Sequence, residues 1–89
     1  MAHRNLEIVN IKGLHARASA KFAETVEQFD AEAEVTKDGL SAAGDSIMGL
    51  LMLAASKGTT IEVETSGAQA DALADALADL VAARFGEDV

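Results

Sequence analysis

Hydrophobic positions change their spacing several times along this chain, and each change predicts an element. Leu6 and Ile8 alternate with Asn5 and Glu7, a period of two that predicts a first strand over about residues 3–9. Lys12-Gly13 reads as a loop. Ala18, Phe22, Val26 and Phe29 then recur at helical spacing, so a helix starts beside His15 and runs to about Gln28 or Phe29. Ala31, Ala33 and Val35 alternate with Glu32, Glu34 and Thr36, the pattern of a half-buried strand. Asp38-Gly39 is a two-residue hairpin signal, because Gly readily takes the positive φ that such a turn requires. Leu40 to Ala43 is the short returning strand. Ser46 is a natural N-cap for a second helix over about Ile47 to Ala55, which Lys57-Gly58 closes. Thr60 to Thr65 alternates cleanly as a fourth strand, and Ser66-Gly67 is a turn. A long last helix is expected over about Ala68 to Phe85. It has Ala70, Leu73, Leu77, Leu80, Val81 and Arg84 on one side and Asp71, Asp75 and Asp79 on the other.

The expected order is therefore β-α-β-β-α-β-α within a single domain spanning residues 1–89. Four strands with one buried face and three amphipathic helices imply an α+β fold, a two-layer sandwich with all helices on one side of the sheet. The hairpin and the short connections favour an antiparallel or mixed sheet.

Composition narrows the function. Aromatic residues make up only 3% of the chain, so the core must be mostly Ala, Leu, Ile and Val. Without cysteine, neither disulfides nor thiolate metal sites are available. The net charge of −8 disfavours nucleic acid and anionic membrane surfaces as partners. The longest apolar run, Ile47 to Ala55, is too short to span a bilayer, and a soluble cytoplasmic protein is expected. The acids are unevenly placed. None occurs from Ile8 to Ala23, which holds Lys12, Arg17 and Lys21, and none from Ser46 to Ile61, which holds Lys57. Chance clustering in a short chain would explain this, and so would a surface kept open for an anion or an acidic partner.

His15 brings chemistry to the first of these windows. At a helix start it lies beside unpaired backbone N–H groups, here those of Ala16, Arg17 and Ala18, and beside the positive end of the helix dipole. Arg17 adds a charged fork suited to phosphate oxygens. The dipole and Arg17 favour a neutral, nucleophilic imidazole, which can attack a phosphoryl group. A histidine in this position can equally do no more than cap the helix. Metal binding is disfavoured, since the only other histidine is His3, and no cofactor is expected.

Gly13-Leu14-His15-Ala16-Arg17-Ala18, together with Ser46-Ile47-Met48-Gly49-Leu50-Leu51-Met52-Leu53-Ala54-Ala55, closely resembles the HPr family, the small phosphocarriers of the bacterial phosphotransferase system. The resemblance extends to about Phe85. It implies an open-faced sandwich with a four-stranded antiparallel sheet. It further implies that His15 accepts phosphate at Nδ1 from phosphorylated enzyme I and passes it to an EIIA-type protein. Arg17 matches the arginine that neutralises the phosphate. One position departs: the family most often has proline after that arginine, where this chain has Ala18. Alanine suits a first helical turn and restores an N–H.

In some bacteria the serine matching Ser46 is phosphorylated by an ATP-dependent HPr kinase. Added phosphate suits a helix N-terminus, so the fold should survive and the effect should fall on partners. The second helix is apolar nearly all round. Leu50 and Leu53 are assigned to the core. Sequence alone permits Ile47, Met48 and Leu51 to be core or exposed, and the resemblance favours an exposed docking patch.

Two functions follow. The first is a phosphoryl relay with a phosphohistidine intermediate, which is not a self-sufficient enzyme. The second is a regulatory binding module switched at Ser46, with the relay secondary. A small hydrolase is the weakest reading, because no general-base partner for His15 stands nearby in sequence. The relay is expected to act as a monomer. Ala18 and the Ser46 motif lean toward the nitrogen-related branch of the family rather than the sugar-uptake branch.

Overall fold

In a computed structural model, residues Met1–Val89 form the elements β1 (Ala2–Glu7), α1 (Ala16–Glu27), β2 (Glu32–Lys37), β3 (Leu40–Ala43), α2 (Ile47–Met52), β4 (Thr60–Ser66) and α3 (Ala70–Ala82), and a short 3-10 turn over Arg84–Gly86 follows. The strands make one antiparallel sheet in the order β1-β4-β2-β3. All three helices pack on one face of it, giving the expected α+β open-faced sandwich.

Side-chain alternation in the strands sorts the two faces of the sheet. Inward, Leu6 pairs across to Ile61, and Val35 lies between Val63 and Ala42. These meet Phe22 and Val26 of α1, Leu50 of α2, and Leu73, Leu77 and Val81 of α3 in one core. Outward, Glu64 stands opposite Glu34, and Glu7, Glu32 and Glu62 share the same exposed face. Two carboxylates directly across a ladder repel, so at Glu34 and Glu64 this face is held by its backbone pairing, while Thr36 and Ser41 hydroxyls bond across β2 and β3 at 3.0 Å. Asp38 (φ 50°) and Gly39 (φ 83°) make the hairpin between β2 and β3, both in the left-handed region that the tight two-residue turn needs.

Four boundaries differ from the sequence pattern. The first strand ends at Glu7, although Ile8 continues the pairing by donating to Thr59 O (2.8 Å) and accepting from Gly58 N (2.8 Å). Helix α2 stops at Met52, three residues short of Ala55. There Ala54 takes a positive φ of 52°, and Leu53 and Ala55 both turn inward to burial. The carbonyl of Ala55 accepts from Leu14 N at 2.8 Å, and burial of Leu53 and Ala55 on either side of the left-handed Ala54 overrides the local helical preference. Gly58 therefore serves a turn onto β4 and not a helix cap.

The last helix starts two residues late, because Gln69 is bound to the end of α1's connection. Its amide donates to Asp30 O (3.0 Å) and its side chain accepts from Asp30 N (2.7 Å). It ends at Ala82 and not at Phe85. Arg84 is exposed instead of lying on the buried side, and Leu80 is half-buried. Arg84 (φ 57°), Phe85 (φ 55°) and Gly86 (φ 81°) are all left-handed. Left-handed backbone costs roughly 1–2 kcal/mol for each L-residue. Opposing that cost, the Phe85 ring is almost fully buried, and Lys21 Nζ donates to Phe85 O at 2.6 Å. Burial of such a ring contributes roughly 1.5–3 kcal/mol. The turn swings the following residues back over the start of α1.

Truncating that anchor should be costly. Phe85→Ala is expected to lower the free energy of unfolding by about 3–5 kcal/mol in urea titration. A loss under about 1 kcal/mol would mean that relief of the left-handed backbone cancels the burial.

Candidate functional site

The site is assembled from a turn, a helix start and the segment beyond α3. The turn runs from Asn10 to Gly13. Asn10 is fully buried, its Nδ2 donates to Gly13 O (2.8 Å), and Gly13 N donates back to Asn10 O (3.2 Å). Gly13 has φ +66°, and a Cβ built on it would lie 2.4 Å from Ala55 O. Conformation and space thus both require glycine. Leu14, buried, is held by its amide bond to Ala55 O, and its own carbonyl accepts from Ser19 Oγ (3.2 Å).

His15 follows as the N-cap of α1. Its backbone is extended (φ −75°, ψ −177°), and its carbonyl accepts the first helical bond, from Ser19 N at 2.8 Å. Its side chain makes no capping bond, so the imidazole is not used to finish the helix. The amides of Ala16, Arg17 and Ala18 have no acceptor within the protein. Ala16 and Arg17 are exposed, whereas Ala18 is fully buried in the core. Arg17 has no hydrogen bond or ion pair, and its guanidinium is free to close on an anion.

The imidazole does have a partner, which comes from 72 residues away. His15 Nε2 is hydrogen-bonded to Glu87 Oε2. The other oxygen of that carboxylate accepts from Asn10 Nδ2 at 3.0 Å. Both side chains are largely covered, His15 to 25% exposure and Glu87 to 15%. The His15 hydrogen bond, then that of Asn10, hold the Glu87 carboxyl below its ordinary range. Burial opposes them, and the nearby charges of His15 and Lys12 add to the lowering. Nδ1 of His15 has no partner in the protein. The sequence window without acids is therefore closed in space by a single carboxylate, and a partner for His15 does exist. The sequence offered only a weak sign of it: an aromatic residue and a glycine placed just before an acid, beyond the last regular turn of a helix.

Ser46 caps α2, its Oγ accepting from Gly49 N at 3.0 Å. Along α2, Met48 and Met52 are 70% and 75% exposed and share one face, Ile47 is exposed, and Leu51 is half-buried. Leu50 and Leu53 are buried. Helix α2 packs against α1, and the residues just after it abut Gly13. No group of three or more His, Cys, Asp or Glu side chains converges anywhere in the fold, and no helix is long and apolar enough to cross a membrane.

Residues 2–83 match the PTS-HPr family, described as the PTS HPr component phosphorylation site. The chain belongs to the HPr family. Among its relatives is the phosphocarrier protein HPr of Neisseria meningitidis, 53% identical over 87 residues and covering 98% of each chain. The phosphocarrier protein NPr of Shewanella violacea is 43% identical, covering 94% of this chain and 92% of its own. In three dimensions, the crystal structure of HPr-C-His from Thermoanaerobacter tengcongensis superposes with a TM-score of 0.95 at 35% identity, covering 100% of both chains. HPr and NPr relatives both match over nearly the whole chain, so membership holds for the family as a whole.

Because the Glu87 carboxyl is held below its ordinary value of 4.5, its contact strengthens folding above that pH and the contribution is lost as pH falls through the lowered value. A carboxyl-detected NMR titration should place the Glu87 midpoint below 4.5 and return it toward 4.5 in His15→Ala. An unchanged midpoint in that variant would show that the imidazole is not the main cause.

Proposed function

We propose that this chain is a phosphoryl relay in which His15 Nδ1 accepts a phosphoryl group from phosphorylated enzyme I and passes it to an EIIA-type protein. The observation that carries the reading is the placement of His15, with a partner-free Nδ1 at the start of α1 and unpaired amides beside it. Membership of the HPr family supplies the reaction class. In the transfer, the Nδ1 lone pair forms the new bond to phosphorus while the donor's bond to phosphorus breaks and leaves with its electron pair. The amides of Ala16 and Arg17 and the guanidinium of Arg17 hold the phosphoryl oxygens. Ala18 stabilises the first turn from beneath. The chain needs no bound cofactor for this step and acts as a cytoplasmic monomer.

Partner proteins dock on Ile47, Met48 and Leu51, and the exposed Met52 widens that patch. Ser46 is the regulatory site, phosphorylated by an ATP-dependent HPr kinase. Its Oγ already meets the Gly49 amide, so phosphate oxygens can keep that contact while their charge falls beside the apolar patch. A new charge there weakens docking more than it weakens the fold.

Incubation with enzyme I and phosphoenolpyruvate should place an acid-labile phosphate on the wild type and none on His15→Ala. Equal labelling of both would exclude His15 as the carrier. With ATP and an HPr kinase, the wild type should be labelled and Ser46→Ala should not. Failure to label the wild type would remove the regulatory role.

A further inference from the structure

The relay uses Nδ1 of His15, and nothing in that reading needs Glu87. Yet the fold goes to some length to bring Glu87 to the other ring nitrogen. Two non-glycine residues are left-handed, Phe85 is buried as an anchor, and Lys21 holds the Phe85 carbonyl. Fully buried Asn10 fixes one carboxylate oxygen and leaves the second for His15 Nε2. We propose that Glu87 is a positioning residue for the phosphoryl transfer: it holds the His15 ring with its proton on Nε2 and its lone pair on Nδ1. This inference rests on the relay reading above.

An ionised carboxylate can only accept a hydrogen bond, so the imidazole nitrogen facing it must carry the hydrogen. In a neutral ring, that places the lone pair on Nδ1, the nitrogen without a protein partner. Glu87 is therefore to His15 what a buried acid is to any imidazole whose second nitrogen does the work. When Nδ1 takes the phosphoryl group, the Nε2 proton stays where it is and the ring gains positive charge, which the facing carboxylate offsets. On onward transfer, the acceptor's lone pair bonds to phosphorus, the Nδ1–P bond breaks, and its electron pair returns to Nδ1. No proton moves in either direction. Asn10 makes the carboxylate's position a property of the same turn that sets the helix start, so ring and acid are held by one piece of backbone.

Two measurements on the unfragmented chain test this, with thermal unfolding to establish that each variant is folded. Long-range proton–nitrogen NMR at alkaline pH, where the ring is neutral, should find the wild-type His15 proton on Nε2 alone. In Glu87→Ala it should be shared between the two nitrogens, and Glu87→Gln, which keeps an acceptor, should recover much of the Nε2 form. With enzyme I and phosphoenolpyruvate, kcat/KM for phosphorylation of Glu87→Ala should fall roughly tenfold, as expected for loss of one charge-assisted hydrogen bond. An unchanged tautomer in Glu87→Ala overturns the proposal, whatever the rate does. A shifted tautomer with an unchanged rate overturns the role in transfer. If the wild type takes no phosphate at all, the relay reading fails on its own. The NMR comparison, which uses unphosphorylated protein, still decides whether Glu87 sets the ring.

Discussion

The close approach of Gly13 to the Ala55 carbonyl is the contact on which the site depends. A side chain at residue 13 would strike that oxygen, and the Leu14 amide could not then reach it. Once the two backbones touch, Leu14 is buried, His15 becomes the last extended residue, and α1 starts at Ala16. The same contact holds the chain that leaves α2, since Ala55 offers its carbonyl to the Leu14 amide. One approach thus fixes the start of α1 and the path of the chain leaving the helix that bears the exposed methionines. The loop before a helix is often treated as slack, but here it is the most constrained backbone near the site.

The second constraint is the reversal after α3. A regular helix through Phe85 would satisfy local propensity and carry Glu87 away from His15. The chain instead accepts strained backbone at Arg84 and Phe85, and the return is a ring buried in the core and a carboxylate against the imidazole. Strain retained next to a reactive group points toward use, provided something else holds it in place. The Phe85 ring and Lys21 are what hold it.

Much of this was legible in the sequence, for physical reasons. Strand alternation follows from a sheet with one wet face, so Val35, Ile61 and Val63 read correctly. Asp38-Gly39 and Ser46 are read from local stereochemistry alone. His15 marks a helix start because Ala18, Phe22 and Val26 fall into step behind it. The errors lie where distant contacts override local preference. Alanine-rich runs continue as helix on propensity, so nothing in Ala54-Ala55 or Ala82-Ala83 announces a stop. The stops come from the burial of Leu53 and Ala55 in the core and from the space that Phe85 fills. Glu87 leaves only a weak sign for the same reason: its partner is set by topology and not by spacing. Charge counted along the chain likewise showed a window free of acids that the fold closes with one.

The outer sheet face, with Glu34 set against Glu64 and with Glu7, Glu32 and Glu62 nearby, has a consequence in solution. It lies on the opposite layer from the helix that starts at His15, near which Lys12 and Arg17 stand exposed. The face therefore concentrates part of the net charge of −8 on one side of the molecule. An approaching surface with its own acidic rim is repelled from this sheet face, so the two bodies turn before they touch. Such steering acts on the rate of encounter, fades as salt shortens the Debye length to about 8 Å at physiological ionic strength, and costs nothing in the bound state. The carboxylates that do nothing for the sheet's stability thus act at a distance, as the tail fin of a small rotor.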